Sequence, residues 1–254
     1  MQGIENLGNN CYVNAVIQCL RYMHPLGRRL IHCRPTTPIL EHFCALLYQG
    51  FGYHIRPFLK TLSTIDMDPH MQSDAHEFYL KIIDHLFSEV NVSNPMEGKM
   101  VSTLTCQNCD KRSEAHETFY STSVGGGVTQ GLCDFEAAET VRATCEGCGN
   151  CRMTKQLRVS PGEVWVLHLK RFEVDKKLNY SVALPRTLMR GTQQWHLSAV
   201  CNHIGSMYSG HYTATAKTST GWYMFNDEIV TALDDLPLHS SLPYILFYKL
   251  QTKT

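Results

Sequence analysis

No run of eighteen or more apolar residues occurs anywhere in this 254-residue sequence, so an ordinary transmembrane helix is excluded. No sign of charge dominates either. The 23 basic residues balance 23 acidic ones, which removes the electrostatic argument for a nucleic-acid or anionic-membrane partner. The N-terminal stretch MQGIENLGNN lacks the charged and apolar regions of a secretory signal, and the sequence has neither an internal repeat nor a low-complexity tract. Cysteine, by contrast, is plentiful: there are 11, an odd number. Without a secretory signal they are expected to be reduced, in cytosol or nucleus, where clustered cysteines more often mean metal or catalysis than disulfides. The length suits one large domain or two small ones, with ample apolar content for a core.

The first third reads as helical. CYVNAVIQCLRYM places Val13, Val16, Ile17 and Leu20 at helical spacing, and DAHEFYLKIIDHLFSEV does so with Phe78, Ile82, Leu86 and Phe87. Ser73 or Asp74 can cap the second helix, with Glu77 placed to complete a capping box from Asp74. From Met100 to about Val159 the character changes to CxxC pairs, short Thr- and Val-bearing segments and a triple glycine at 125–127, which predict hairpins and a turn. The last third carries strand-like runs: EVWVLHLKRF, WHLSAVCNHI, HYTATAK, GWYMFND and PYILFYKL. Helices followed by a cysteine-rich β extension and an antiparallel sheet make an α+β protein.

LTCQNCD supplies Cys106 and Cys109, and ATCEGCGNC supplies Cys145, Cys148 and Cys151. Two residues between cysteines let both sulfurs of a knuckle reach one ion, and two knuckles complete a closed zinc site of four thiolates. Both motifs sit in polar, turn-forming stretches, the second bearing glycines, which argues against a chance pairing of core cysteines. Neither pair opens a helix after a strand, as a redox motif would. Matched spacing favours Cys148 as the fourth ligand, with Cys151 the alternative.

A second chemistry centres on NLGNNCYVNAVIQCL, where a polar, turn-forming stretch of five residues precedes Cys11 at the start of a predicted helix. A helix N-terminus is expected to lower a thiol pKa. Cys19, two turns deeper, reads as core. Among the 13 histidines, His211 in YSGHYTA stands out because a glycine precedes it and a strand follows. Asn226 and Asp227, after the aromatic strand WYMFN, can each orient an imidazole. On spacing alone, satisfied structural groups are the better reading of these residues.

The segments GIENLGNNCYVNAVIQCL, QSDAHEFY, LTCQNCD, CEGCG, VLHLKRF, LSAVCNHIGSMYSGHYTATAK, WYMFNDEIV and YILFYKL, taken together and in this order, resemble the boxes of the ubiquitin-specific proteases, papain-like cysteine deubiquitinases. The resemblance runs from about Gly3 to Leu250. It implies a single catalytic domain over 1–254 with a right-hand architecture: a helical thumb over 1–97, zinc-tipped β fingers over 98–160 and an antiparallel β palm over 161–254. It makes Cys11 the nucleophile, His211 the base and Asn226 the third member of the triad, with Asp227 a second polar helper. Asn6 matches the position whose amide lines the oxyanion hole. Gln72, Asp74, His203 and Tyr212 match substrate-binding positions beside the channel for ubiquitin's basic C-terminal tail, His203 not being the base. Cys106, Cys109, Cys145 and Cys148 match the ligands of one structural zinc.

The resemblance also implies a cytosolic or nuclear monomer acting on ubiquitin or ubiquitinated proteins, near-minimal in extent. Ser73 stands where the family commonly has glutamine, and the loop from Glu173 to Gln194 is short. Two other readings fit the same boxes: an isopeptidase for another ubiquitin-like modifier, and a catalytically silent ubiquitin-binding scaffold.

Overall fold

The computed structural model describes residues 1–48, 54–206 and 209–251. The helical layer comprises α1 (Cys11–Arg21), α2 (His24–Leu30), α3 (Pro38–Tyr48), α4 (Arg56–Leu59), a 3₁₀ turn over Leu62–Ile65 and α5 (Ala75–Glu89). α1 is the central element. Every residue from Cys11 to Leu20 is buried, because the helix is covered by α5 and α3 on one side and by the larger sheet on the other. Burying side chains such as Val16, Ile17 and Leu20 stabilises the fold by about 1.5–3 kcal/mol each. Cys19 lies in this core, fully buried, and burial pushes its thiol pKa far up.

Asp74 caps α5, its Oδ1 accepting from the amides of His76 at 2.8 Å and Glu77 at 2.9 Å. The expected capping box is not completed. Glu77 turns outward and pairs with Lys81 at 2.9 Å, one helical turn on.

Two antiparallel hairpins build a four-stranded sheet in the order β2-β1-β5-β4, from β1 (Gly98–Cys106), β2 (Arg112–Phe119), β4 (Glu139–Cys145) and β5 (Gly149–Ser160). Residues between the hairpins belong elsewhere. β3 (Thr122–Val124) joins the larger sheet, and α6 (Val128–Glu136) follows the triple glycine, a helix the β-like reading of this region did not anticipate. Gly131 is close-packed there: a Cβ would lie 2.4 Å from the Gly125 carbonyl oxygen.

The larger sheet adds β6 (Val164–Leu169), β8 (Thr187–Arg190), β9 (Gln193–Gly205), β10 (Gly210–Thr218), β11 (Gly221–Asn226), β12 (Ile229–Leu233) and β14 (Pro243–Leu250). Its order is β12-β11-β10-β9-β14-β6-β3, with β8 on β9; all pairs are antiparallel except β3 with β6. β7 (Val182–Ala183) pairs with β13 (His239–Ser240), so the short connection after Glu173 carries ordered strands. Both faces of the sheet are covered. Along β14, Ile245 and Phe247 join the helical core while Leu246 and Tyr248 join a second core around Trp165 and Trp195, the period-2 alternation of a strand with two buried faces.

Candidate active site

The chain enters α1 through two left-handed residues, Gly8 (φ 103°) and Asn9 (φ 59°). Asn10 occupies the N-cap position without capping. Its Oδ1 accepts from the Leu7 amide at 2.7 Å, and its Nδ2 donates to Asn14 Oδ1 at 2.9 Å. No side chain caps the first amides of the helix, and those of Cys11 and Tyr12, with that of Tyr212 from β10, favour the charged form of the Cys11 sulfur.

The thiol is only 4% exposed. Burial is the largest influence on its pKa and raises it; the Tyr212 amide lowers it, the Asp227 carboxylate raises it, and the Tyr12 and Cys11 amides lower it. The net direction is up from 9.0. This corrects the expectation of a depressed thiol pKa: the helix amides act in the expected direction, but dehydration of the charged form outweighs them.

β10 and β11 are joined by a tight turn and run antiparallel, so His211 and Asn226 meet at the same end of the sheet. His211 Nε2 lies 2.7 Å from Asn226 Oδ1. With the amide oxygen accepting, Nε2 carries the proton and Nδ1 remains the basic nitrogen. Among the described residues no hydrogen bond joins Cys11 to His211; the thiol's side-chain neighbour is Gln72, whose Nε2 is 3.9 Å from Sγ and also donates to the Gly210 carbonyl at 2.6 Å.

Asp227, left-handed at φ 51° in the turn between β11 and β12, has a different setting from the one expected. Its Oδ2 accepts from Asn6 Nδ2 at 2.9 Å and its Oδ1 from Asn14 Nδ2 at 2.8 Å. It lies 3.8 Å from His211 Nε2, beyond hydrogen-bond reach. The N-terminal segment holds this turn in place. Ile4 donates to the Asp227 carbonyl at 2.9 Å, and a Cβ on Gly3 would stand 2.4 Å from the same oxygen. Asn6 is thus oriented at both ends, its Oδ1 accepting from the Gly8 amide at 3.0 Å.

Gln72, Asp74, His203 and Tyr212 line one cavity of about 410 Å³, shared with Phe172 and Tyr244. The Asp74 carboxylate is already engaged there, since Oδ2 accepts from Tyr244 Oη at 2.5 Å while Oδ1 caps α5. His203 is buried and its pKa falls to about 4, chiefly by burial and then by Lys177, so it is neutral at pH 7. It packs against Tyr212 with ring centroids 4.7 Å apart. A Cβ on Gly210 would lie 2.0 Å from His203 Nε2, so glycine lets β10 pass over the ring. Phe172, Tyr244, Asn10 and Asn14 were not singled out from sequence. For the two asparagines the available signal was their polarity inside the otherwise apolar run of α1.

At the far end of the four-stranded sheet, Cys106, Cys109, Cys145 and Cys148 bring their sulfurs within 4.8 Å of one another. Four thiols at that spacing fit one tetrahedral ion with Zn–S bonds of about 2.3 Å. Cys151 stands beside the set, 3.6 Å from Cys106.

Comparison with known proteins follows the same outline. The chain is 28% identical to ubiquitin carboxyl-terminal hydrolase 20 of Arabidopsis thaliana, covering 97% of this chain and 43% of that protein. It is 29% identical to the mouse ubiquitin carboxyl-terminal hydrolase 17-like protein D, over 98% and 55%, and 27% identical to human ubiquitin carboxyl-terminal hydrolase 21, over 98% and 61%. It therefore spans about half the length of the curated relatives it matches. Among solved structures, the SAGA Ubp8/Sgf11/Sus1/Sgf73 DUB module bound to ubiquitin aldehyde contains a chain of the same fold, with a TM-score of 0.83 at 22% identity, over 100% of this chain and 70% of that one. The family model described as ubiquitin carboxyl-terminal hydrolase matches residues 2–248, a span that takes in the thiol, the imidazole–amide pair, the adjoining cavity and the cysteine tip, and the chain belongs to that family.

Proposed function

We propose that this chain is a thiol-dependent isopeptidase that hydrolyses the bond after the C-terminal glycine of ubiquitin through an acyl-enzyme on Cys11. The observation that carries this reading is the His211–Asn226 pair, 2.7 Å apart, beside a buried thiol with a cavity adjoining it. The ubiquitin tail lies in that cavity. His211 Nδ1 takes the Cys11 proton as the sulfur attacks the glycine carbonyl, then delivers it to the departing lysine amine. Water next attacks the thioester, gives its proton to His211, and releases the free carboxylate and the thiol.

Asn226 holds the tautomer that leaves Nδ1 basic. Asn6, fixed through Asp227 and Gly8, supports the oxyanion with the amide hydrogen that Asp227 does not take. Since no bond joins Cys11 and His211 in the free protein, the two tighten around bound substrate, as catalytic hydrogen bonds often do.

The four cysteines hold one structural zinc, which would tie the two hairpin tips of the fingers; four thiolates leave no open position for chemistry. Its partner is ubiquitin or a ubiquitinated protein. That a structural neighbour was captured with ubiquitin aldehyde supports this over another modifier, and the presence of all three candidate triad residues supports it over a silent scaffold. The family's thiol chemistry, which needs a reduced Cys11, fits a reducing compartment, cytosol or nucleus.

Ubiquitin bearing a thiol-reactive electrophile at its C-terminus, beside the same probe built on other ubiquitin-like modifiers, tests the proposal. A covalent adduct with ubiquitin, absent in Cys11→Ala, is expected. Adducts with another modifier alone would replace the substrate, and no adduct with any probe would overturn the enzyme.

A further inference from the structure

A tetrahedral zinc takes four ligands, and the tip of the four-stranded sheet carries five cysteines: Cys106, Cys109, Cys145, Cys148 and Cys151. The set within 4.8 Å of one another omits Cys151. Yet the Cys106–Cys151 sulfur separation, 3.6 Å, matches the 3.7 Å between Cys109 and Cys145. With Zn–S bonds of about 2.3 Å, the edge of a four-sulfur tetrahedron is roughly 3.8 Å. Cys151 therefore approaches Cys106 as closely as two ligands of one ion approach each other, while standing outside the four-sulfur set.

The two candidates for the fourth position differ in how they are held. Cys148 is exposed, on the turn that closes the β4–β5 hairpin, where Cys145 pairs with Gly149. Cys151 is buried on β5, in register with Ala143 of β4, and its sulfur points into the cluster rather than away from the sheet. The exposed thiol is the one that electrophiles reach first. The buried one lies against Cys106, at the edge of the four-sulfur set.

We propose that Cys151 is a standby ligand of the zinc centre, completing four-thiolate coordination with Cys106, Cys109 and Cys145 when Cys148 is lost or capped. The exchange balances: Cys151 Sγ–H releases its proton to solvent as it binds, and the Cys148 sulfur leaves capped by the electrophile, or is absent in the variant. The tip thereby keeps its metal, and the hairpins stay joined, through damage at one of its two exposed thiols, the other being Cys109. The inference rests on the zinc reading above.

Zinc per chain, measured on purified wild type, Cys148→Ser, Cys151→Ser, Cys109→Ser and the Cys148→Ser/Cys151→Ser double variant, tests it. Wild type, Cys148→Ser and Cys151→Ser are each expected to hold about one zinc, while the double variant and Cys109→Ser, which has no spare thiol at its position, lose most of it. Cobalt-loaded Cys148→Ser is expected to keep the thiolate charge-transfer intensity of a four-sulfur site. Zinc-free wild type would overturn the zinc reading itself. Zinc-loaded wild type with Cys148→Ser as empty as the double variant, or Cys148→Ser unfolded while Cys151→Ser folds, would overturn the standby role alone.

Discussion

Asn14, one turn into α1, donates through Nδ2 to Asp227 Oδ1 at 2.8 Å across 213 positions of sequence. The other carboxylate oxygen is taken by Asn6. Asp227 is thus less a partner of the imidazole than a clamp that ties the polar approach of Cys11 to the turn after β11. The same Asn14 amide also reaches the carbonyls of Ile4 and Glu5, at 3.2 and 3.3 Å, so one buried side chain joins the helix, the N-terminal segment and the hairpin.

This arrangement separates the effects of two neighbouring substitutions. Asn226→Ala removes the group that fixes the His211 tautomer and is expected to lower kcat about 100-fold or more, with little change in melting temperature. Asp227→Ala strips partners from Asn6 and the buried Asn14, and is expected to cost about 1–3 kcal/mol of stability with a smaller loss of kcat. Steady-state kinetics and thermal unfolding on both variants check the assignment. A larger kcat loss at Asp227 would make the carboxylate, not the amide, the orienting group.

Asn6→Ala addresses the oxyanion role. An interaction made chiefly in the transition state lowers kcat and leaves KM nearly unchanged. Loss of one such donor typically costs about 100- to 1000-fold. If Asn6 only shapes the turn through Gly8 and Asp227, the variant will instead melt earlier, by about 1 kcal/mol, and turn over normally.

The direction of the Cys11 pKa predicts how the free protein reacts. Because burial raises the thiol above 9.0, alkylation of Cys11 by iodoacetamide is expected to be slow at pH 7 and to keep rising beyond pH 9 as thiolate forms. Mass spectrometry of the labelled peptide across pH 6–10 checks it, the upper bound of about pH 10 being set by the ordinary thiol range. A plateau in rate reached below pH 8 would mean that His211 ionises the thiol before substrate arrives.

His76 and His168 stack with ring centroids 3.9 Å apart, each bonded to a serine hydroxyl, Ser121 and Ser123. Burial lowers both, His76 to about 4 and His168, also disfavoured by the charge of His76, to about 3. Folded pKa values below the unfolded value near 6.5 mean that the unfolded chain binds more protons on acidification. The stabilising difference is complete above about pH 6.5 and is lost progressively as pH falls from there to the folded values of about 4 and 3. Urea unfolding between pH 7.5 and 4.5 is expected to show falling stability, with a shallower fall in His76→Gln. Identical slopes for wild type and variant would remove the pair from the account of acid sensitivity.

Local chemistry made much of this protein legible from sequence. The apolar spacing of α1 and α5 and the cap at Asp74 are written in contiguous residues, as are the paired cysteine knuckles and the strands that carry His211 and Asn226. Helical periodicity, strand alternation and ligand spacing all act over a few positions, so short segments suffice to reveal them. Tertiary structure alone decided the rest. Asn14 acquired its role because Asp227 comes to it from the other end of the chain, and Glu77 turned to Lys81 where a capping box was available. The helix N-terminus in the sequence pointed toward a lowered Cys11 pKa; the packing around α1 dehydrates the thiol and reverses it. Burial and long-range hydrogen bonds depend on what folds over a residue, and no short stretch of sequence carries that information.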